Sequence, residues 1–220
     1  MKNIFFTSDT HFGHQKLLTY CPDRKEQAEK WALDNNRTEQ SLIDSHDQWL
    51  INSWNEKISR VDTVYILGDF SFRTKQETEN ILKHLNGQKF LIRGNHDEPL
   101  SGLENYFVWV GAMKEVKIGK DVIEGIKDPI SCVLCHYPLL TWRTRSRGGL
   151  MIHGHCHGGL DEYNAKSGEL RFDVGIDGKL SSLNVVSVVD IYNAAMERTG
   201  GLDFFSYMQD RIASNETFKC

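Results

Sequence analysis

Short apolar runs alternate with amphipathic stretches in the first half of the chain. The apolar runs have the length and composition of buried strands and lie at residues 2–8, 63–67 and 89–93. Residues 38–58 carry an apolar stripe at helical spacing, with Thr38 as the expected N-cap and with Trp49 and Trp54 as core residues. Residues 75–85 carry a second helix signal. This alternation predicts a partly parallel sheet covered by helices.

The second half of the chain has the pattern of shorter strands. A hairpin is expected around Gly119-Lys120-Asp121, which would pair residues 116–118 with residues 122–126. Further short strands are expected at residues 131–135, 150–152, 170–174 and 185–189. One terminal helix is expected near 191–198, whereas the charged segment 23–37 fits either a surface helix or an insertion. We therefore predict an α/β (α+β) fold in a single domain spanning residues 1–220, with two sheets face to face and helices outside.

Composition and net charge disfavour several classes of function. With 40% hydrophobic and 25% charged residues, the chain is typical of a soluble globular protein. It has no apolar segment of the ~20 residues needed to cross a bilayer, so we expect no membrane association and a cytoplasmic location. The net charge of −4 disfavours a nucleic-acid polymer as partner. It still permits a small phosphorylated substrate, because metal ions can supply local positive charge.

Cysteine usage indicates a reducing compartment, since five cysteines at irregular spacing do not form a disulfide framework. Cys132 and Cys135 form a CxxC pair within a predicted strand. Residues three apart on a strand point to opposite faces, so we expect these two thiols to be buried as small hydrophobes.

Motifs rich in metal-ligating side chains follow several of the predicted strands. They are Asp9-Thr10-His11, Gly68-Asp69, Gly94-Asn95-His96-Asp97, a lone His136 and Gly154-His155-Cys156-His157. The first three stand just beyond apolar runs, so their side chains can converge at one sheet edge. Carboxylates, an amide and several imidazoles at that edge predict a pocket for two divalent ions, which is the chemistry of phosphate-ester cleavage.

Spacing within these motifs suggests separate roles. Asp69 is the candidate carboxylate that bridges two cations, and Gly94 permits a tight exit from its strand. Asn95 offers a neutral ligand oxygen. His96 is too close to Asn95 to bind the same ion easily and is better placed to act on substrate, with Asp97 fixing its orientation and tautomer.

The last motif also has features of a different hydrolase family. His153, His155 and His157 form a His-x-His-x-His series like the start of the metallo-β-lactamase motif, but Gly158 stands where that motif requires histidine. We therefore predict a structural role for His153. Taken singly, each short motif also fits a role without catalysis, such as a carboxylate that caps a turn, a loop histidine or a structural zinc site.

The order of the motifs resembles the calcineurin-like metallophosphoesterases, in particular a small bacterial and phage branch, over the stretch from Asp9 to His157. The resemblance implies a four-layer α-β-β-α fold with two metals at one edge. It implies that one ion is held by Asp9, His11 and His157, the other by Asn95, His136 and His155, with Asp69 shared between them. His96 would be the catalytic histidine, supported by Asp97.

One position departs from the family pattern. Many members continue the second motif as Gly-Asp-x-x-Asp-Arg, whereas this chain has Phe72 in place of the second aspartate, followed by Arg73. Substrate contacts are expected from Arg73, from His14, and from Arg143 and Arg145 in an arginine-rich loop that equally fits a solvated surface.

The predicted reaction is direct in-line hydrolysis by a hydroxide held between two divalent metals, with Mn²⁺ favoured and Fe, Zn²⁺ or Ni²⁺ as alternatives. A phosphodiesterase acting on small or cyclic nucleotides is favoured over a phosphomonoesterase or a nuclease. A non-catalytic binding module stabilised by metals is the alternative from another class. The intact Gly-Asn-His-Asp motif argues against it, since His96 would then have no function.

Overall fold

The computed structural model describes residues 3–214, which form two β-sheets flanked by helices. The first sheet has five strands, β1 (Ile4–Thr7), β2 (Thr63–Ile66), β3 (Gln88–Ile92), β4 (Trp109–Gly111) and β9 (Val186–Ser187). Their order is β4-β3-β2-β1-β9. The first four are parallel, and β9 runs antiparallel to β1. The expected parallel arrangement of the first three strands is confirmed.

The second sheet has four strands in the order β5-β6-β7-β8. These are β5 (Met113–Ile118), β6 (Ile130–Cys135), β7 (Leu150–His153) and β8 (Arg171–Asp173). The last three are parallel, and β5 is an antiparallel edge strand. Seven of the nine strands of residues 3–214 therefore belong to parallel series that present their carboxyl ends to a common edge, namely β1 to β4 and β6 to β8.

The helices are α1 (Leu17–Tyr20), α2 (Pro22–Asp34), α3 (Leu42–Lys57), α4 (Lys75–His84), α5 (Asp161–Lys166), α6 (Val188–Arg198) and α7 (Phe204–Ala213). The charged segment 23–37, for which the sequence left a helix and an insertion as alternatives, is mostly helical and forms α2. Pro22 occupies the first turn of this helix, where its missing N–H costs nothing. None of the helices in the described part of the chain is long and apolar enough to span a membrane.

Apolar side chains form two main layers, one on each face of the first sheet. On one face Phe5 packs in a cluster with Trp49 and Trp54 of α3, so both tryptophans are core residues as predicted. Phe6, the next residue of β1, points to the other face and packs against the second sheet, where it meets residues such as Leu134. This alternation across β1 confirms the two-sheet α/β fold with helices outside.

The predicted thiol positions are confirmed. Cys132 belongs to the cluster between the sheets, and Cys135 belongs to a smaller cluster on the opposite face of β6 with Trp142. Burial raises the pKa of the Cys132 thiol to about 12. Both thiols are therefore packing groups.

The predicted hairpin around Gly119 is wrong. Strand β5 pairs instead with β6, and Ile118 lies opposite Ile130 in that register. Within the intervening loop Ile123 is buried against the layer between the sheets. The apolar character of residues 122–126 therefore reflects core packing of a loop, not a strand.

Two element boundaries also differ from the prediction, because side-chain caps set them. The cap of α3 is Ser41, whose side chain accepts a hydrogen bond from the Asp44 N–H, and Thr38 lies outside the helix. The predicted strand 185–189 is interrupted after Ser187, which forms a capping box with Asp190 and starts α6.

Candidate metal centre

The predicted ligand motifs converge at the carboxyl ends of strands from both sheets. Asp9, Asp69 and Asn95 follow β1, β2 and β3, while His136 and His155 follow β6 and β7. A short parallel bridge between Ser8 and Gly175 ties the two sheets together at this end. The predicted ligands from five separate strand ends therefore share one edge of the sandwich, an arrangement that the sequence predicted for the first three motifs.

The first group of ligand atoms comes from Asp9, His11 and His157, whose ligand atoms all lie within 4.8 Å of one another. Nε2 of His11 and Nε2 of His157 each lie 3.8 Å from Oδ1 of Asp9. Three ligands facing a common point from two loops can surround a single cation.

The second group comes from Asp69, His136 and His155, again within 4.8 Å. Nε2 of His136 lies 3.6 Å from Oδ2 of Asp69 and 3.0 Å from the Asn95 amide oxygen. The Nδ1 atom of His136 is already hydrogen-bonded to the Leu67 carbonyl at 2.7 Å, which leaves Nε2 to face the centre.

Asp69 connects the two groups. Its Oδ2 atom lies 3.8 Å from His11 Nε2 in the first group and 3.6 Å from His136 Nε2 in the second. Its other oxygen, Oδ1, accepts a hydrogen bond from the His96 backbone N–H at 2.9 Å, which fixes the orientation of the carboxylate. This placement is that of the predicted bridging carboxylate.

Backbone geometry at the centre is unusual. Five of the ligand residues adopt the left-handed conformation that side chains normally avoid, namely Asp9, His11, Asp69, His155 and His157. Such conformations cost about 1–3 kcal/mol each and persist where the surrounding structure enforces them, often at functional sites. Gly68 is also left-handed, and a β-carbon there would lie 2.6 Å from both Gly94 Cα and His136 Nδ1. The glycines of these motifs thus let the loops approach each other closely.

The ligand atoms present fit divalent cations. Within residues 3–214, Asp9 Oδ1 and His11 Nε2 are buried and have no hydrogen-bond partner. Leaving such groups buried and unpaired is costly, and a cation between them would satisfy both. Oxygen and imidazole ligands without an obligatory thiolate suit Mn²⁺, Fe or Zn²⁺.

Electrostatics favour positive charge in this pocket. Burial opposes ionisation of Asp9, but the nearby imidazole of His11 and the charges of His157 and His136 outweigh burial and lower its pKa. Burial also opposes a charged His157, yet its hydrogen bond with Asp177, the nearby Cys21 thiol and the charge of Asp9 raise its pKa to about 10. The field that holds a proton on His157 favours a metal cation in the same way.

The contacts of Asp97 correct its predicted role. Its carboxylate accepts hydrogen bonds from three backbone N–H groups, those of Gly94 at 2.7 Å, Phe70 at 2.9 Å and Asp69 at 3.0 Å. Among the described residues, no hydrogen bond joins this carboxylate to the His96 ring. Asp97 therefore holds the loops of the second and third motifs together rather than setting the tautomer of His96.

His96 lies on the open side of the centre, where its side chain is exposed. Its ring centroid is 5.0 Å from that of Phe72 and 6.2 Å from that of His11. His14 stacks on Phe72 with 4.2 Å between ring centroids and reaches Nδ1 of His11 at 3.2 Å. These side chains line the opening through which a substrate would approach the predicted ligands.

The three arginines predicted to contact substrate make other contacts. Arg73 packs against Gly13 and binds Asp44 and Asp47, both on α3. It therefore anchors the first motif to that helix through charge pairs and leaves its guanidinium engaged.

Arg143 and Arg145 both pair with glutamates of the second sheet region. Exposed Arg143 binds Glu115 on the edge strand β5 at 2.6 Å. Buried Arg145 forms a two-pronged ion pair with Glu169, just before β8 begins and so at the end of that strand remote from the metal centre. The arginine-rich loop thus belongs to the framework, and the prediction that it contacts substrate is not supported by its position.

Sequence reasoning missed one group at the centre. Asp177 lies 2.6 Å from Nδ1 of His157 and is paired with the buried Arg24 of α2. Asp177 follows β8, so the same signal that marked the other motifs, a polar residue after an apolar run, was present. His153 matches its predicted structural role, because it is buried and its Nε2 lies 3.3 Å from the amide of Asn164.

Comparison with known proteins agrees with this geometry. The family model described as calcineurin-like phosphoesterase matches residues 2–169. The chain is 28% identical to the Gene 66 protein of Mycobacterium phage L5 over 91% of this chain and 99% of that protein. It is 32% identical to the MJ1445 protein of Methanocaldococcus jannaschii over 74% of each chain.

A crystal structure with a similar fold is that of AQ665 from Aquifex aeolicus, a protein of unknown function. The TM-score is 0.60 at 22% sequence identity, covering 88% of this chain and 100% of that one. This likeness concerns the fold alone, whereas the family model spans the motifs from Asp9 to His157. The chain therefore belongs to the calcineurin-like phosphoesterase family, whose members are metal-dependent phosphoesterases.

Proposed function

We propose that this protein hydrolyses phosphodiesters of small nucleotides with two divalent cations, Mn²⁺ being favoured. The observation that carries the proposal is the position of Asp69, whose Oδ2 atom lies within 3.8 Å of ligand atoms from both groups. A shared carboxylate holds two like charges close together and partly neutralises them. Two adjacent cations are the usual arrangement for in-line attack on phosphate esters.

The residues of the proposed site form two groups that would each bind a cation and a third group that would face the substrate. Asp9, His11 and His157 would hold the first cation, Asn95, His136 and His155 the second, and Asp69 both. When bound, the pair of cations supplies the acidity that activates water and positive charge for the phosphoryl oxygens. The protein's contribution is to fix the ligand directions before substrate arrives.

His96 is the proposed catalytic residue. Its backbone N–H is tied to Asp69 Oδ1, so the side chain starts next to the shared carboxylate yet is exposed towards the opening. From there an imidazole N–H can donate to a phosphoryl oxygen or to the leaving-group oxygen. Asp97 acts indirectly, because it fixes the Gly94 and Phe70 backbones on either side of the site.

Two features support a diester of a nucleotide over a phosphomonoester. The predicted arginine contacts are engaged elsewhere in ion pairs, which suits a diester with one negative charge better than a monoester with two. Two aromatic side chains border the centre and remain partly open to solvent, Phe72 at 37% and Tyr137 at 44% exposure. Tyr137 packs edge-on against His155 and His136, and such rings can stack on a nucleobase.

Turnover of model esters tests the proposal. Metal-free protein is loaded with Mn²⁺ and assayed on bis-p-nitrophenyl phosphate and on p-nitrophenyl phosphate. We expect hydrolysis of the diester to exceed that of the monoester and to fall at least about 100-fold in Asp69→Asn, as on loss of a charge-stabilising group at a reacting centre. Glu115→Gln, which alters an exposed ion pair outside the site, is the matched control.

Three outcomes would contradict the proposal. Faster hydrolysis of the monoester would assign a phosphomonoesterase. Full activity in Asp69→Asn would remove the shared carboxylate from the reaction. Absence of turnover with Mn²⁺, Zn²⁺, Fe²⁺ or Ni²⁺ on either ester would favour the non-catalytic binding module instead.

A further inference from the structure

A largely buried carboxylate, that of Asp177, contacts the back of one proposed metal ligand. Oδ2 of Asp177 lies 2.6 Å from Nδ1 of His157, while the opposite nitrogen of that ring, Nε2, faces Asp9 Oδ1 at 3.8 Å. A neutral imidazole that donates from Nδ1 has its lone pair on Nε2. The contact therefore presents the ligand nitrogen towards the first group of ligand atoms.

Asp177 is itself held rigidly. The side chain of Arg24 is fully buried and donates to both carboxylate oxygens, from Nε to Oδ1 and from a terminal nitrogen to Oδ2, each at 2.7 Å. This two-pronged geometry fixes the plane of the carboxylate as well as its position. Burial raises the pKa of Asp177, but its hydrogen bond with His157 and the hydrogen bonds and charge of Arg24 outweigh burial and lower that pKa.

The same guanidinium also fixes the first motif. Its terminal nitrogens donate to the backbone carbonyls of Asp9 at 2.6 Å and of Thr10 at 3.0 Å. A single arginine on α2 thus connects the loop after β1 to the loop after β8, and through Asp177 to His157. Two ligands of the first group, Asp9 and His157, depend on one buried side chain for their relative position.

We propose that Asp177, held by Arg24, is a positioning residue that sets the ring orientation and tautomer of His157 for cation binding, an inference that rests on the proposed metal site. Partners of this kind typically change metal affinity about 10–100-fold when removed. Asp177 does not touch the reacting atoms, because both of its oxygens are engaged by Arg24 and His157.

The alternative is that this cluster binds an ion of its own. Ligand atoms of Cys21, His157 and Asp177 lie within 4.8 Å of one another. The hydrogen bonds to both oxygens of Asp177 argue against such an ion, since a cation there would have to displace Arg24 or the His157 N–H. Titration with metal ions separates the two roles.

Manganese affinity is the decisive measurement. Metal-free protein is titrated with Mn²⁺ while electron paramagnetic resonance counts the unbound ion. We expect Asp177→Ala to weaken one of two bound ions about 10–100-fold and Arg24→Lys to weaken the same ion less, because lysine keeps the charge but not the fork. The matched control is Glu169→Gln, which alters an equally buried two-pronged arginine pair at the far end of β8 and should bind Mn²⁺ like the wild type.

A double-mutant cycle distinguishes positioning from general structural support. If Asp177 acts through His157, Asp177→Ala should lower Mn²⁺ affinity in the wild type but not in a His157→Ala background. Equal losses in both backgrounds would show a merely structural role and overturn the proposal. Should Asp177→Ala fail to fold, the cycle is run with Asp177→Asn, which removes the charge and keeps the shape.

The remaining outcomes are also decisive. Unchanged affinity in every Asp177 variant would overturn the proposal, and so would a Co²⁺ titration that shows a third ion with thiolate-to-cobalt absorption from Cys21. Wild-type protein that binds Mn²⁺ but hydrolyses no ester would refute the proposed function alone. Wild-type protein that binds no divalent ion would refute both.

Discussion

A β-carbon at position 94 would push the shared carboxylate out of place. Gly94 approaches Asp69 so closely that an added methyl group would overlap Oδ1 of its side chain and lie 2.7 Å from its backbone nitrogen. A side-chain oxygen could swing away, but only by breaking its hydrogen bond to the His96 N–H. The candidate metal centre therefore requires glycine at position 94, because a side chain there would displace the carboxylate of Asp69.

Gly94→Ala is accordingly expected to weaken Mn²⁺ binding at least about 10-fold and to lower the free energy of unfolding by about 1–3 kcal/mol, as overpacking does. Isothermal titration calorimetry and urea unfolding measure the two effects. Gly200→Ala is the control, since a β-carbon there meets no atom within 4 Å and the substitution adds only local backbone strain. Equal Mn²⁺ affinity in Gly94→Ala and wild type would show that the close approach is unimportant.

Phe72 occupies the position where the pattern expected from the family resemblance has an aspartate, and its exposed ring lies beside His14 and His96. If it stacks on a nucleobase, Phe72→Ala should lower kcat/KM for a thymidine p-nitrophenyl phosphodiester about 5–150-fold, the equivalent of the ~1–3 kcal/mol of base stacking. Hydrolysis of methyl p-nitrophenyl phosphate, which has the same leaving group and no base, should change less than twofold.

Comparing kcat/KM for these two esters separates the contribution of base stacking from that of the hydrolysis step. A parallel loss on both esters would mean that Phe72 supports the centre itself, for example by packing against His11, whose ring centroid lies 5.1 Å away. No loss on either ester would remove Phe72 from substrate recognition. Tyr137→Phe provides a matched variant, because it keeps the second aromatic ring and removes only the hydroxyl near Asn95.

At the residue scale, the strand ends that carry the candidate site were easier to predict than the contacts that support them. The first three motifs directly follow apolar runs, which is a local and regular signal. The supports depend on pairings between distant positions, such as Arg24 with Asp177 across 153 residues, for which one sequence has no signal. Arg73 and Arg145 show the converse difficulty, since a charged residue near a motif resembles a substrate contact until its carboxylate partner is known.

At the scale of elements, side-chain caps decided where helices begin. Thr38 was the predicted N-cap of α3, but the side chain that bonds to the N–H three residues on is that of Ser41. Ser41→Ala should therefore destabilise the protein by about 1 kcal/mol, the usual effect of losing an N-cap.

Thr38→Ala is the matched control, since Thr38 is exposed and should change stability by less than about 0.5 kcal/mol. Urea unfolding of the two variants compares them directly. A larger loss in Thr38→Ala than in Ser41→Ala would move the start of the helix to the predicted position.

Strands and helices were predicted correctly where the sequence fitted only one kind of element, and the predictions were wrong where it fitted two. The strands β1, β2 and β3 are short buried runs bounded by polar motifs, and all three were identified within about two residues. The segment around residues 122–126 is just as apolar, but its side chains pack into the core from a loop. A buried segment is hydrophobic whatever its backbone conformation. An apolar run in the sequence therefore does not distinguish a loop that packs into the core from a strand.

At the scale of the whole molecule, the metal centre joins the two sheets. Asp9 and Asp69 extend from the first sheet, while His136 and His155 extend from the second, so cations held by all of them would link the two halves of the sandwich. The buried, unpaired Asp9 Oδ1 and His11 Nε2 destabilise the metal-free fold at the same place. Cation binding should consequently act as a stabilising force on the entire domain.

Mn²⁺ at a free concentration 100 times its dissociation constant should stabilise the fold by about 2.7 kcal/mol per site, provided the unfolded chain does not bind it. For a domain of this size that corresponds to a rise in Tm of about 5–10 °C, measurable by differential scanning calorimetry. Asp69→Asn should lose most of the rise, because both ligand groups use Asp69, whereas Glu115→Gln on the edge strand should keep it. An identical rise in Asp69→Asn would mean that Mn²⁺ stabilises the protein at another place, and both the shared carboxylate and the coupling of the sheets through it would then be wrong.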